Sequence, residues 1–169
     1  NGGKEVWDKN FAALGAANYG RGGDSTRQVL WRIQNGEVEG LNPKLVVLKI
    51  GTNNLYDDFN AGSDEEIAAG ITAIVQELRK RLPNTKVLLL GILPRQNEWF
   101  SGRAQRINAI IKNLDDGQNV RFLDMSDKFQ TELGKVKPEL YSGDQLHLAK
   151  QGYEVWAQTM KPLFDEMLK

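Results

Sequence analysis

Short apolar runs alternate with amphipathic stretches along this chain, a pattern typical of a sheet covered by helices. Three runs predict buried parallel strands, at residues 45–50, 86–92 and 120–124. A weaker run from Ala16 to Tyr19 predicts a fourth strand. Because strands and helices alternate, we expect right-handed βαβ crossovers and a single α/β domain spanning residues 1–169.

Apolar residues at helical spacing predict the helices between these strands. The clearest helix spans residues 67–82, is opened by Ser63 and Glu66 as a capping box, and ends before Pro83. Further helices are predicted at residues 6–14, 26–35, 103–114 and 151–168. Pro162 is expected to kink or restart the last one. Three tryptophans on helix faces are expected in the core: Trp7, Trp31 and Trp156.

The predicted elements leave one strand too few. Five helices accompany four strands, and the chain opens with a helix. In a flavodoxin-like doubly wound sheet of order 2-1-3-4-5, the first strand lies near the centre. Without it, its neighbours would lie about 10 Å apart with unpaired backbone groups between them. We therefore expect either a central strand from outside the 169 residues or a gap beside residues 45–50, in an N-terminally incomplete domain.

Composition narrows the classes of function. Because 22 basic and 22 acidic residues cancel, no net field favours a polyanion, and nucleic acid is not an expected partner. The chain has no cysteine and one histidine, which excludes a disulfide, a thiolate nucleophile and a Cys- or His-rich metal centre. The longest apolar run, residues 87–93, is shorter than the ~20 residues of a membrane span. Localisation stays open between cytoplasmic and exported.

Candidate chemistry lies in three polar loops. His147 follows Asp144 by three residues, and a carboxylate there can hold one imidazole nitrogen while the other accepts a proton from a nucleophile. Two earlier loops, residues 20–26 and 51–54, follow predicted strands, where functional residues of α/β sheets collect. Taken singly, each signal is weak, because glycine turns, asparagine caps and Asp-x-x-His spacings are common.

In their order and positions these loops resemble the SGNH (GDSL) hydrolase family, most closely the catalytic subunits of platelet-activating-factor acetylhydrolases. The matching segments are residues 18–27, 29–32, 51–54, 91–95 and 146–148. The resemblance implies a flavodoxin-like fold and a serine esterase that removes small acyl groups, acetyl first, from a small-molecule ester without a cofactor. Whether that ester is a lipid, a sugar or another alcohol stays open, as does formation of a homodimer.

The family's functional residues transfer onto four positions. The resemblance makes the Gly23 backbone N–H and the Asn53 side-chain amide the oxyanion donors, Asp144 the orienting acid and His147 the general base. The family block with the nucleophilic serine should precede Trp7 and is not found there. Because this block carries the same strand that the element count lacks, the serine is expected before Asn1.

Gly23-Asp24-Ser25 spells the nucleophile motif but does not follow an apolar strand. We expect Asp24 or Ser25 to cap the next helix instead. The roles of three residues after the second strong strand stay open: Arg95 could orient a substrate or pair on the surface, and Trp99 and Phe100 could wall a pocket or form a contact surface. The alternative function is a non-catalytic SGNH-like domain that binds an ester-like ligand.

Overall fold

The computed structural model describes residues 2–56 and 62–169. They contain a three-stranded parallel sheet in the order β1-β2-β3, formed by Leu45–Leu48, Lys86–Leu90 and Val120–Leu123. Leu45 pairs with Lys86, and Val87 pairs with Val120. The carboxyl ends of all three strands therefore lie at one edge of the sheet. The three strong apolar runs and the α/β class with a parallel sheet are confirmed.

Helices cover both faces of the sheet. They are α1 Gly3–Asn10, α2 Thr26–Gln34, α3 Asp64–Arg81, α4 Glu98–Ile111, α5 Ser126–Phe129 and α6 Lys150–Leu168, with 3-10 turns at Ala12–Leu14, Thr52–Leu55, Lys112–Leu114 and Pro138–Leu140. The helices α2, α3 and α4 pack together, and α1 packs against α6. The predicted capping box of α3 is confirmed, because the Ser63 N–H donates to Glu66 Oε2 at 2.8 Å and the Glu66 N–H to Ser63 Oγ at 3.2 Å.

Strand β2 divides the core into two layers. Val87 and Leu89 pack in the cluster that includes Ile71 of α3, whereas Leu88 and Leu90 pack with Met160 of α6. Because successive side chains of a strand point to opposite faces, a continuous apolar run serves both layers. Full burial of each such side chain is worth about 1.5–3 kcal/mol.

Two expectations about local structure are wrong. Ala16 to Tyr19 is an exposed irregular segment and forms no strand. An apolar run so short depends on ladder partners for its conformation, and none lies beside it among the described residues. Trp31 is 63% exposed rather than in the core. Helix α2 turns Ile33 inward instead, and the indole lies on the outer face.

Helix boundaries also differ from the predictions, and α1 spans Gly3–Asn10 instead of residues 6–14. Helix α4 begins five residues earlier than expected, so Trp99 and Phe100 lie in its first turn and not in a loop. The cause is Asn97, whose side chain accepts a hydrogen bond from the Phe100 N–H at 3.2 Å and caps the helix. Helix α6 is not restarted at Pro162, and runs continuously from Lys150 to Leu168.

Strand β1 has one open edge. It pairs with β2, and within residues 2–56 and 62–169 no strand lies on its other side. Leu48 is buried, while Leu45, Val46 and Val47 are half-buried. A gap flanked by strands on both sides, as expected beside residues 45–50, is not seen among the described residues, because residues 16–19 form no strand and β1 is an edge strand. No helix in these described ranges is long and apolar enough to cross a membrane.

Candidate active site

The Asp144–His147 loop is a tight structure held by its own backbone. Tyr141 and Leu148 form an antiparallel bridge, and the Ser142 N–H donates to the His147 carbonyl at 2.8 Å. Within this loop the His147 Nδ1 lies 2.6 Å from Asp144 Oδ2. The expected hydrogen bond between the two side chains is therefore present. With Nδ1 donating to the carboxylate, Nε2 carries the free lone pair that a general base needs.

The Asp144 carboxylate is also held by the loop backbone. Its Oδ1 accepts hydrogen bonds from the N–H groups of Leu146 and His147, each at 3.0 Å, and from the Ser142 hydroxyl at 2.9 Å. The hydrogen bond from His147, followed by these backbone donors, holds the pKa of Asp144 well below its usual range. The carboxylate is therefore charged at neutral pH and holds the imidazole in one orientation.

The glycine turn before α2 is shaped by its backbone. Gly23 has a φ of 83°, a left-handed conformation that costs other residues about 1–2 kcal/mol. Asp24 next to it forms an ion pair with Arg32, which also pairs with Glu37. This network attaches the turn to the body of α2.

Ser25 is the N-cap of α2. Its backbone N–H donates to Gln28 Oε1 at 3.1 Å, its hydroxyl also contacts Gln28, and the residue is 8% exposed. A hydroxyl buried in a capping box is poorly placed to attack a substrate. The capping role expected for Asp24 or Ser25 therefore falls on Ser25.

The asparagine turn after β1 packs directly against the glycine turn. The Asn53 Nδ2 donates to the Asp24 carbonyl at 2.8 Å. Buried Asn54 accepts the Thr26 N–H at 3.0 Å through Oδ1, and its Nδ2 donates to Thr26 Oγ1 at 3.2 Å. The two predicted oxyanion donors therefore lie in adjoining turns. Because an amide nitrogen carries two hydrogens, the Asp24 bond orients Asn53 and leaves one donor for a ligand.

Buried Arg95, after β2, joins this turn to its surroundings. Its guanidinium packs over the rings of both Tyr56 and Phe100, with the central carbon 4.3 and 4.5 Å from the ring centroids. It donates to the Thr52 carbonyl at 2.9 Å and to Gln96 Oε1 at 3.0 Å, while its Nε has no partner among the described residues. Its role, left open by the sequence, is to brace the turn that carries Asn53.

The same segment holds the histidine loop. The Gln96 N–H donates to the Gln145 carbonyl at 2.9 Å, and the Tyr141 hydroxyl donates to the Pro94 carbonyl. Burial raises the pKa of Tyr141, so its phenol stays protonated and remains a donor. Residues 94–96 thus connect the asparagine turn on one side to the histidine loop on the other.

Sequence reasoning missed the connecting role of residues 94–96, and of Tyr141 and Gln145. The available signal was the position of Pro94-Arg95 directly after a strand, at the sheet edge shared by the other loops. No group of three or more metal-binding side chains lies together in the part of the chain that the structure describes.

Comparison with known proteins decides the family. The model of the GDSL-like Lipase/Acylhydrolase family matches residues 2–155. The chain belongs to this family. Over 169 residues it is 38% identical to platelet-activating factor acetylhydrolase IB subunit alpha2 of Rattus norvegicus, covering 98% of this chain and 69% of the relative. It is 36% identical over 168 residues to subunit alpha1 of Bos taurus, covering 97% and 69%. The SGNH (GDSL) resemblance is therefore confirmed, and ester hydrolysis is the general activity of the family.

Solved structures support the fold of this GDSL family member. A GDSL-like lipase from Bacteroides thetaiotaomicron superimposes with a TM-score of 0.82 at 22% identity, covering 98% of this chain and 82% of that one. An acetylxylan esterase from Geobacillus stearothermophilus gives a TM-score of 0.73 at 18% identity, covering 98% and 78%. At these identities the likeness concerns the fold alone.

Proposed function

We propose that the chain supplies the base, the orienting acid and the oxyanion donors of a serine esterase that removes small acyl groups, acetyl first. The observation that carries this proposal is the 2.6 Å contact between His147 Nδ1 and Asp144 Oδ2, which leaves Nε2 free. The imidazole is also accessible, because the His147 side chain is 74% exposed. The name acetylhydrolase, borne by relatives at 38% identity, supports acetyl as the group removed.

The reaction proceeds through an acyl-enzyme. His147 Nε2 takes the proton of a serine hydroxyl as its oxygen attacks the ester carbonyl. The Gly23 backbone N–H and the free hydrogen of the Asn53 amide hold the negative carbonyl oxygen of the tetrahedral intermediate. Collapse of the tetrahedral intermediate breaks the ester bond, and His147 gives its proton to the departing alcohol. Water, activated by the same imidazole, then releases the acid and restores the serine.

The serine, in this proposal, belongs to a polypeptide segment outside residues 1–169, and this domain is one part of a longer SGNH-hydrolase domain. Two observations support it. Ser25, in the one Gly-Asp-Ser tripeptide of the sequence, is buried as a helix cap. Strand β1 has an open edge, where a further parallel strand would end beside the asparagine turn. A serine just after such a strand would lie at the sheet edge that holds the other groups.

The test combines chemistry and labelling. The polypeptide that contains residues 1–169 and the preceding segment is assayed with p-nitrophenyl acetate and treated with a fluorophosphonate, followed by peptide mapping. We expect hydrolysis, one label on a serine outside residues 1–169, and a fall in kcat of about 10⁴-fold in Asp144→Asn, since the amide leaves the imidazole in the wrong tautomer.

Two results would contradict the proposal in different ways. A label on Ser25 would overturn the assignment of the nucleophile. An unlabelled polypeptide without esterase activity would favour the non-catalytic, ligand-binding domain. Trp31→Ala is a suitable control for general damage, because Trp31 is an exposed residue on the outer face of α2.

A further inference from the structure

An open cleft of about 620 Å³ lies beside the histidine loop. We name it the Trp99 cleft, and the residues that line it include Gln96, Asn97, Glu98, Trp99, Lys135 and Gln145. Gln145 lies between Asp144 and His147 in the chain, and its carbonyl accepts the Gln96 N–H at 2.9 Å. The wall of the cleft is thus part of the loop that holds the imidazole. Clefts of 300–1,000 Å³ are typical of small-molecule sites.

The amides in the cleft present donors. The Gln96 Oε1 already accepts from Arg95 Nη2 at 3.0 Å, and the Asn97 Oδ1 already accepts the Phe100 N–H at 3.2 Å. Because both side-chain oxygens are engaged within the protein, each residue offers its NH₂ group to a ligand. A ligand that satisfies them carries several oxygen acceptors.

Trp99 provides an apolar surface next to these donors. Its side chain is half exposed, and its ring is steadied by Phe100, at 4.8 Å between centroids, and by the Arg103 guanidinium 5.3 Å from its centroid. The positive charge of Arg103 on the indole disfavours a second cation there, such as a quaternary ammonium. A plain alkyl chain would cover the ring but make no hydrogen bond to the amide donors.

The charges of the cleft cancel. Glu98 and Lys135, the charged residues that line the cleft, have opposite signs, so the lining itself has no net charge that would select an anion. We propose that the Trp99 cleft binds the alcohol portion of the ester, and that this alcohol is a carbohydrate. A sugar ring is neutral, offers hydroxyl and ether oxygens to the amide donors, and has an apolar face of C–H groups that can cover the indole. This inference rests on the proposed function, since it places the sugar beside the reacting ester.

Binding can be measured without any hydrolysis. The polypeptide used in the esterase test is titrated with xylotriose by calorimetry and tryptophan fluorescence, with phosphocholine as the competing class of ligand. We expect xylotriose to bind and phosphocholine not to bind. Trp99→Ala should weaken xylotriose binding about tenfold, because it removes the aromatic surface, while Trp99→Phe should retain most of it. Trp31→Ala, which removes an exposed tryptophan outside the cleft, should change nothing.

Two isosteric variants test the donors themselves. Asn97→Asp keeps the oxygen that caps α4, and Gln96→Glu keeps the oxygen that accepts from Arg95, but each loses the NH₂ group. Each is expected to weaken xylotriose binding about three- to tenfold. Circular dichroism confirms that the variants are folded.

The outcomes separate this inference from the proposed function. Failure of the folded chain to bind xylotriose, preference for phosphocholine, or equal binding by Trp99→Ala would overturn the carbohydrate site. If that happened while p-nitrophenyl acetate was still hydrolysed by the longer polypeptide, the esterase proposal would stand. Binding of xylotriose without esterase activity would support the site and contradict the esterase.

Discussion

Four donors converge on one carboxylate in this molecule, that of Asp144. Three come from backbone N–H or hydroxyl groups of its own loop, and the fourth is the His147 imidazole. The spacing of three residues predicted the contact between the two side chains, because such a short loop keeps them within reach. The backbone donors could not be predicted, because they depend on the left-handed conformation of Gln145, with a φ of 51°.

The Asp144 carboxylate makes the free energy of unfolding decrease as the pH falls. The pKa of Asp144 is lower in the folded than in the unfolded chain, so the unfolded chain binds the proton first as the pH falls. Its contribution to folding is complete above about pH 4, near the ordinary aspartate pKa, and is lost as the pH falls toward the folded-state value. We expect the urea midpoints of the wild type and Asp144→Asn to differ most near neutral pH and to converge in acid. A constant difference would contradict this.

The Asn53 amide gives a prediction for catalysis at the scale of one residue. Asn53→Ala should lower kcat of the longer polypeptide on p-nitrophenyl acetate about 100- to 1,000-fold with little change in KM, because an oxyanion donor acts mainly in the transition state. Asn35→Ala is the matched control, since Asn35 also donates its amide to a backbone carbonyl, that of Trp31, but lies at the end of α2. Equal effects of the two changes would refute the role of Asn53.

Among the elements, the strands were easier to predict than the segments that follow them. An apolar run such as residues 86–90 forms a strand that is buried on both faces, and its composition is enough to predict this. The start of α4 depended on one cap by Asn97, in a stretch that reads as polar loop. The predicted strand at Ala16 to Tyr19 is not formed, and here the cause is not local. A strand needs a hydrogen-bonding partner from elsewhere in the chain, which its own sequence does not reveal.

Arg95 acts between elements, and a double-mutant cycle can show it. Arg95→Lys keeps the charge but loses the planar fork that reaches both Thr52 and Gln96. We expect kcat to fall about tenfold or more and the fall to shrink in the Asn53→Ala background, because both changes act on one turn. Arg79→Lys is the control: it loosens an arginine that donates to the carbonyls of Pro83 and Thr85 at the end of α3, so stability should fall while kcat is kept. Additive effects of Arg95→Lys and Asn53→Ala would contradict the coupling.

For the whole molecule, the parallel sheet with helices on both faces followed from alternation of strand and helix patterns along the chain. The arrangement of the site could not be predicted in this way, because His147 and Asn53 are 94 residues apart in the sequence. Their two loops are joined through hydrogen bonds made by residues 94–96. Motif order indicated that the loops share one edge of the sheet. It could not show that a buried arginine connects them.

The open edge of β1 also has a consequence for handling the protein in solution. Among the residues that the structure describes, no strand lies beside the outer N–H and C=O groups of the half-buried Leu45, Val46 and Val47, which form a template to which an extended chain can add. We expect residues 1–169, expressed alone, to scatter more light as their concentration rises, and the longer polypeptide of the proposed function to stay dispersed. Monomeric residues 1–169 at high concentration would contradict this. Light scattering would therefore show, without any substrate, whether a further strand covers the open edge of β1.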